Sequence, residues 1–305
     1  MKDLLVGSTG FVGGNLMESH DFSMALHSRD IETGYDTRPQ LAVYAGVPAA
    51  MFLANQDPAA DLAVMAQARE NIRRIAPRQL VLISSIAVYR DSRGKDEDSP
   101  MDKEGLAPYG ANRLQLEEWV RQDFPDALIV RLPALYGKGL KKNFLYDLHT
   151  ITPAMLRPDK YQELAEKSAL VGEGYELREN GFYCLNGKVS GEKLREFFAA
   201  NDFNALAFTH SASRYQFYNL GRLWSDINLA LEAGLKLVNL TTPPVSAGAV
   251  YTAVTGQEWK NETAAAPYDY DLRTKHAALF GGAEGYLLSR DEELKDICNF
   301  MKEWK

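Results

Sequence analysis

Cysteine is almost missing from this 305-residue chain, and the two present, Cys184 and Cys298, lie far apart and form no CxxC pair. A disulfide framework and a cysteine-built zinc site are thereby excluded, leaving two free thiols of the kind usually buried in a core. Histidine is also sparse. The five, at positions 20, 27, 149, 210 and 276, show no paired ligand spacing, and no metal is expected. Basic residues are outnumbered, 34 Lys and Arg against 41 Asp and Glu, for a net charge of -7. That balance argues against a protein that wraps nucleic acid or lies on an anionic membrane. No run approaches the roughly 20 apolar residues that span a bilayer. The opening Leu4-Leu5-Val6 leads directly into glycines rather than a cleavage region, so a cytoplasmic location is the expectation. Internal repeats, low-complexity segments and Pro/Ser-rich linkers are absent too.

What is present is ordinary globular composition, 46% apolar and 25% charged, in a chain long enough for a large core. Leu4–Gly7 reads as a strand ended by glycines, and Val12–His20 as the helix after it. Phe22–His27, Leu41–Gly46 and Gln79–Ser84 read as further strands, with a helix over Asp61–Ile75 stopped by Pro77. A helix over Asn112–Phe124 follows, with Leu114, Leu116 and Trp119 packed and Glu117 and Glu118 on a solvated face. Asp126–Leu132, containing Ala127-Leu128-Ile129-Val130, adds another buried strand. Strands alternating with helices in this way predict an α/β class: a Rossmann-type parallel sheet with helices on both faces.

Beyond Gly139 the alternation stops, and a smaller mixed C-terminal substrate domain is expected. Asn180-Gly181 between Tyr175–Glu179 and Phe182–Asn186 is a strong hairpin signal, because turn residues there tolerate positive φ. Lys193–Asn201, Trp224–Ala233, Ala247–Thr255 and Asp291–Trp304 read as helices and Leu235–Leu240 as a strand. The expected division is a nucleotide-binding domain over 1–145, completed by parts of 205–240, and a substrate-binding region over 146–305 with a hairpin near 175–186.

The turn Gly7-Ser8-Thr9-Gly10-Phe11-Val12-Gly13 carries the first chemical signal. Its first glycine permits a tight turn, the next lets backbone approach a pyrophosphate, and the third lets the helix pack on the strand. The helix amino terminus then offers free N–H groups to phosphate. NAD or NADP is the ligand expected there. A glycine triplet alone is weak, and its position after the first strand gives it weight.

Together with Ile83-Ser84-Ser85-Ile86-Ala87-Val88-Tyr89, Asp96-Glu97-Asp98-Ser99-Pro100, Pro108-Tyr109-Gly110-Ala111-Asn112-Arg113 and Arg131-Leu132-Pro133-Ala134-Leu135-Tyr136-Gly137, this turn resembles the extended short-chain dehydrogenase/reductases. That family comprises sugar-nucleotide epimerases, dehydratases and reductases. The motifs keep the family's order and spacing to about residue 145 and fade afterwards. The resemblance implies a catalytic pair: Ser85 to orient and polarise the substrate oxygen, and Tyr109 to exchange a proton with it. Phenols titrate near pH 10, so a general acid/base of this type needs a neighbouring cation at neutral pH. Where the family has lysine, this chain has Arg113. Arginine keeps the charge and can bond a ribose, but it does not deprotonate and cannot join a lysine-style proton relay.

Cofactor choice is set after the second strand, where an acid accepts the adenosine ribose hydroxyls of NAD and arginine meets the 2'-phosphate of NADP. Ser28 and Arg29 come first there, followed by Asp30, so NADP is expected and NAD is the alternative. The short path from Arg29 to Leu41 resembles the reductase members of the family. Ala45 and Gly46 end the third strand with small residues, and the resemblance adds Val47, Ser84, Leu132 and Pro133 to the cofactor-binding set. It also places Lys142, Asn143 and Phe144, after Lys141, with Ser85 as substrate-binding residues, two cations there suiting a nucleotide pyrophosphate. The expected activity is an NAD(P)-dependent oxidoreductase or epimerase on a nucleotide-linked sugar or similar carbonyl or alcohol, without nucleic-acid or membrane partners. Family members commonly form homodimers through a four-helix bundle. The rival reading is a non-catalytic NADP-binding regulator or redox sensor whose active site has lapsed. An RNA-associated protein of the same fold is disfavoured by the acidic balance.

Overall fold

The computed structural model describes residues 3–178 and 180–304. The chain divides into two compact units, one of Met1–Leu140, Arg214–Val245 and Asp269–Asp296, the other of Lys141–Ser213, Ser246–Tyr268 and Ile297–Lys305.

The first unit is built on β1 (Asp3–Val6), β2 (Met24–Leu26), β3 (Leu41–Tyr44) and β4 (Gln79–Ser85), with two later strands, Leu128–Leu132 and Leu237–Asn239. All six run parallel. In spatial order they are Leu237–Asn239, Leu128–Leu132, β4, β3, β1, β2. Register aligns Leu5, Val43, Val81 and Leu128 in one row and Val6, Tyr44, Leu82 and Ile129 in the next. Successive residues face opposite sides of a sheet, so the two rows feed two cores. Leu5 and its row pack with Leu16 of α1 (Phe11–Ser19) and with Leu223, Ile227 and Ala230 of the Leu223–Glu232 helix. Val6 and its row pack with the helices Pro58–Ile75 and Pro108–Asp123. Because both faces are buried, these strands carry apolar residues almost without a break, each large one contributing roughly 1.5–3 kcal/mol.

A short helix α2 (Met51–Gln56) precedes α3 (Pro58–Ile75). Asp57 caps α3 by accepting from the Ala60 N–H at 3.0 Å, and Pro58 fills the first position, where no N–H is needed. Met65, Ala68, Ile72 and Ile75 then recur at helical spacing and meet the sheet. Helix α4 (Pro108–Asp123) starts the same way on Pro108 and buries Leu114, Leu116 and Val120. The sequence expectation fails here at one residue. Glu117, expected in solvent, is fully buried, and its carboxylate binds Arg131 of the Leu128–Leu132 strand. Glu118 is half-buried, with Lys103 Nζ at 2.5 Å.

The second unit holds a three-stranded antiparallel sheet with Tyr183–Leu185 between Met155–Leu156 and Tyr175–Leu177. Gly181, at φ +79°, donates its N–H to the Arg178 carbonyl at 2.9 Å and so turns the chain between the last two strands. Helices Pro158–Lys167, Ala169–Gly174 and Gly191–Ala199 supply Leu164, Val171, Leu194 and Phe198 to a core shared with Leu156 and Tyr175. Among the described residues, no helix is long and apolar enough to cross a membrane.

Candidate active site

The glycine turn lies where β1 meets α1. Gly7 sits at φ +92°, and a Cβ on it would come 2.5 Å from the Ala45 carbonyl oxygen. A Cβ on Gly13 would come 2.0 Å from the Gly7 carbonyl oxygen, so the helix reaches the strand only with glycine at both places. Gly10 occupies the N-cap of α1 without a side-chain cap. The first-turn N–H groups of the helix, at Phe11 and Val12, are therefore open to an anionic group. Ser8 is occupied, its Oγ donating to the Leu26 carbonyl at 3.1 Å, and Thr9 is exposed. The turn is a cradle that backbone can fill and side chains cannot, which fits a dinucleotide pyrophosphate.

At the end of β2, Ser28 and Arg29 are both exposed. Asp30 is turned back on its own loop: Oδ1 accepts from the His27 N–H at 2.7 Å, and Oδ2 lies 3.4 Å from His27 Nε2. Arg29 uses its backbone N–H on His27 Nδ1 at 3.1 Å, while its guanidinium makes no hydrogen bond or ion pair among the described residues. A cation is thus presented where the acid is engaged, an arrangement suited to a ribose phosphate. Ala45 is half-buried and Gly46 exposed at the end of β3. Val47 packs against the core beneath.

The two serines closing β4 part ways. Ser84 Oγ donates to Glu117 Oε1 at 2.6 Å, tying the strand end to α4. Ser85 Oγ accepts from the Ala87 N–H at 3.1 Å, and its own O–H has no acceptor among the described residues. It therefore keeps an unused donor. Helix α4 lies against the turn that follows Ser85, since a Cβ on Gly110 would be 2.0 Å from the Ala87 carbonyl oxygen. Tyr109, 7% exposed, opens this helix, its N–H donating to Asn55 Oδ1 of α2 at 2.9 Å.

Arg113 lies one turn further on, with its guanidinium carbon 3.6 Å from the centroid of the Tyr109 ring. Nη1 donates to Asp61 Oδ2 at 2.6 Å and to the Tyr109 carbonyl at 3.2 Å, and Nη2 to the Pro48 carbonyl at 2.6 Å. Its Nε–H and second Nη2–H meet no acceptor among the described residues. Asn112 Nδ2 reinforces the same contact, bonding Asp61 Oδ2 at 2.9 Å and the Pro58 carbonyl at 3.0 Å. Asn55, Asp61 and Asn112 are the residues sequence reasoning passed over. Their partners lie more than 50 positions away, as the Asp61–Arg113 separation of 52 shows, and no local pattern announces them.

The remaining candidates have other surroundings. Leu132 is buried in the core, and Pro133 after it is half-buried. Lys142, Asn143 and Phe144 belong to the second unit. Asn143, at φ +98°, caps the Phe144–Thr150 helix by accepting from Leu145 and Tyr146 N–H, and Phe144 stacks on Trp259 with centroids 5.7 Å apart. Lys142 is exposed. Among the described residues no cluster of metal-ligating side chains exists.

A parallel sheet with a glycine-lined first turn, a serine ending the fourth strand and a tyrosine and cation on the next helix define a Rossmann fold of the short-chain dehydrogenase/reductase type. The family model described as the RmlD substrate binding domain matches residues 1–153, and the chain belongs to that family, within the extended short-chain dehydrogenase/reductases. No curated protein matches the chain. Among solved structures, it is similar to the dTDP-4-dehydrorhamnose reductase of Bacillus anthracis in complex with NADP, at 15% identity and TM-score 0.64, over 99% of each chain. It is similar to the UDP-glucose 4-epimerase of Thermotoga maritima with UDP-glucose, at 13% identity and TM-score 0.62, over 99% of each chain. A third likeness is RMD from Pseudomonas aeruginosa complexed with NADPH, at 15% identity and TM-score 0.61, again over 99% of each chain.

Proposed function

We propose that this protein is an NADP-preferring oxidoreductase or epimerase that acts on a carbonyl or secondary alcohol of a nucleotide-linked sugar. The observation that carries the reading is the stack of Arg113 on Tyr109, at 3.6 Å, with guanidinium donors still free. The bound nicotinamide would supply hydride chemistry. Phosphates would rest on the Gly7–Gly13 turn and α1, and Arg29 would face the 2'-phosphate. Ser85 would hold the substrate oxygen through its free O–H, Tyr109 would pass a proton to or from that oxygen, and Arg113 would hold the ribose. The printed ligands of similar structures, NADP, NADPH and UDP-glucose, support the same classes of cofactor and substrate.

Hydride transfer followed at the nicotinamide absorbance, across a panel of nucleotide-linked keto sugars, tests it. Wild type should turn over at least one, and Tyr109→Phe should abolish turnover while binding NADPH as before. The reading fails if wild type binds NADPH and transfers hydride to nothing in the panel. The regulator reading would then stand in its place, and the charge compensation of Arg113 by Asp61 is the observation that favours it.

A further inference from the structure

Asp61 lies outside every motif of the proposed reaction, yet it decides where the cation beside Tyr109 stands. The ion pair between its Oδ2 and Arg113 Nη1 is 2.6 Å long, and the two side chains are only 10% and 5% exposed. Asn112 Nδ2 donates to the same Oδ2 at 2.9 Å, so the carboxylate is itself held in place. On the other nitrogen of the guanidinium, the Pro48 carbonyl accepts at 2.6 Å. Acceptors on both terminal nitrogens fix the group, and its carbon lies over the Tyr109 ring, 3.6 Å from the centroid. Lysine, a point charge with freely turning donors, cannot be oriented in this way. A free arginine side chain has rotamer entropy to lose before it is fixed so. With a neutral residue at 61, the buried guanidinium would keep only carbonyl partners. Uncompensated charge is unfavourable out of water, and the side chain would swing toward solvent and away from the ring.

We propose that Asp61 is a positioning residue of the reaction, holding the Arg113 guanidinium over the Tyr109 ring so that its free donors face the cofactor ribose in one orientation. The inference rests on the function proposed above. It joins the loop after β3, the start of α3 and the tyrosine helix into one assembly, through Pro48, Asp61 and Arg113.

The test compares wild type, Asp61→Asn, Asp61→Glu, Arg113→Met and the Asp61→Asn/Arg113→Met pair. Three quantities are measured: NADPH affinity by nicotinamide fluorescence, kcat and KM for a substrate found in the panel, and thermal midpoint. Asn keeps part of the contact but not the charge, so Asp61→Asn should weaken NADPH binding and lower kcat by about tenfold or more each. KM for the sugar should stay within about twofold, because Asp61 acts through a group that touches cofactor and not sugar. Asp61→Glu should recover part of both losses. In the Arg113→Met background Asp61→Asn should add nothing further to either, the signature of a residue that works through Arg113. That second comparison holds even if Asp61→Asn alone does not fold, since no buried cation then needs a partner. Wild type that binds no NADPH overturns the function proposed above, and Asp61's role with it. Wild type that binds, beside an Asp61→Asn variant equal to it in affinity and kcat, overturns the role of Asp61 alone. An added loss from Asp61→Asn in the Arg113→Met background does the same.

Discussion

Arg131 and Glu117 face each other inside the first unit with almost no solvent between them, 1% and 0% exposed. Nε and Nη2 of the arginine donate to the two carboxylate oxygens of the glutamate at 3.0 and 2.6 Å, a fork on a fork. Arg131 Nη1 reaches the Tyr89 hydroxyl at 2.7 Å, and Ser84 Oγ donates to Glu117 at 2.6 Å. Burial pushes the Tyr89 phenol above its ordinary range, while Arg131 pulls the other way. A chain of polar contacts therefore ties the strand end that carries Ser85 to the adjoining end of the Leu128–Leu132 strand.

Removing one partner of this pair should be far more damaging than removing both. Glu117→Leu leaves the buried Arg131 without a counter-charge and should lower unfolding free energy by about 3–5 kcal/mol. Arg131→Met should cost less because Glu117 keeps Arg121 Nη2 at 2.9 Å, and the double replacement should recover most of the Glu117→Leu loss. Urea unfolding of the three variants measures this, and additive single and double effects would show the pair to be uncoupled.

Stability should decline from mildly acidic pH to about pH 8 because of Glu293. Burial raises its carboxyl from 4.5 to about 8, against the Phe217 N–H and the Thr242 hydroxyl, which favour the ionised form. Its Oε2 has no hydrogen-bond partner among the described residues. Between those two values the native state keeps a proton the unfolded chain has lost, so stability declines as pH rises through that window and levels off above about 8. At about 1.4 kcal/mol per unit the loss is on the order of a few kcal/mol, and Glu293→Gln should flatten the decline. Denaturant midpoints across the window, with and without the substitution, decide it.

Acid should act through Asp3 in the opposite sense. Burial would raise this carboxyl, but hydrogen bonds from His20, at 2.5 Å, and from the Ser23 N–H and hydroxyl outweigh it and hold it at about 2. The stabilisation is complete above the ordinary 3.8 and disappears as pH falls through about 2, amounting to about 2 kcal/mol. Asp3→Asn should lower the neutral-pH midpoint and remove this part of the acid transition. An unchanged acid limb in the variant would rule the assignment out.

Cofactor preference should reside in Arg29. Calorimetric titration should show NADPH bound more tightly than NADH, and Arg29→Ala should weaken NADPH about tenfold or more while leaving NADH unaffected, as loss of a charged hydrogen bond implies. Equal affinities in wild type would remove the claim.

Arg113→Lys should keep or raise turnover, because it retains a cation for Asp61 and restores a side chain able to relay protons. Its cost should appear in stability instead, through loss of the Pro48 bond and the ring stack, at about 1 kcal/mol. A collapse of kcat with an unchanged melting temperature would contradict it.

The sheet was legible because its strands are buried on both faces. Runs such as Leu80-Val81-Leu82-Ile83 and Ala127-Leu128-Ile129-Val130 need no partner pattern to be recognised. Glu117 was misjudged for a definite reason: helical spacing places it near the edge of the packed face, and its destination depends on Arg131, a charge at the end of an apolar strand. A buried arginine requires a counter-charge, and that was the signal available. Asp61 left none, since a carboxylate in the first turn of a helix is ordinary there. The second unit resisted reading because its strands span two or three residues and several of its helices six to ten, too few to display a period.

The route of the chain through the sheet has a consequence for its synthesis. Leu128–Leu132 pairs on one side with β4 and on the other with Leu237–Asn239, which the ribosome has not yet made when the first of them emerges. At about 5–20 residues per second, the interval between the two lasts roughly 5–20 s. During that time the nascent chain presents Leu128-Ile129-Val130 as an open edge, the kind of surface on which strands from other chains add. The long excursion through residues 141–213 therefore sets a period of exposure, and yield in the cell depends on what shields that edge until residue 239 arrives.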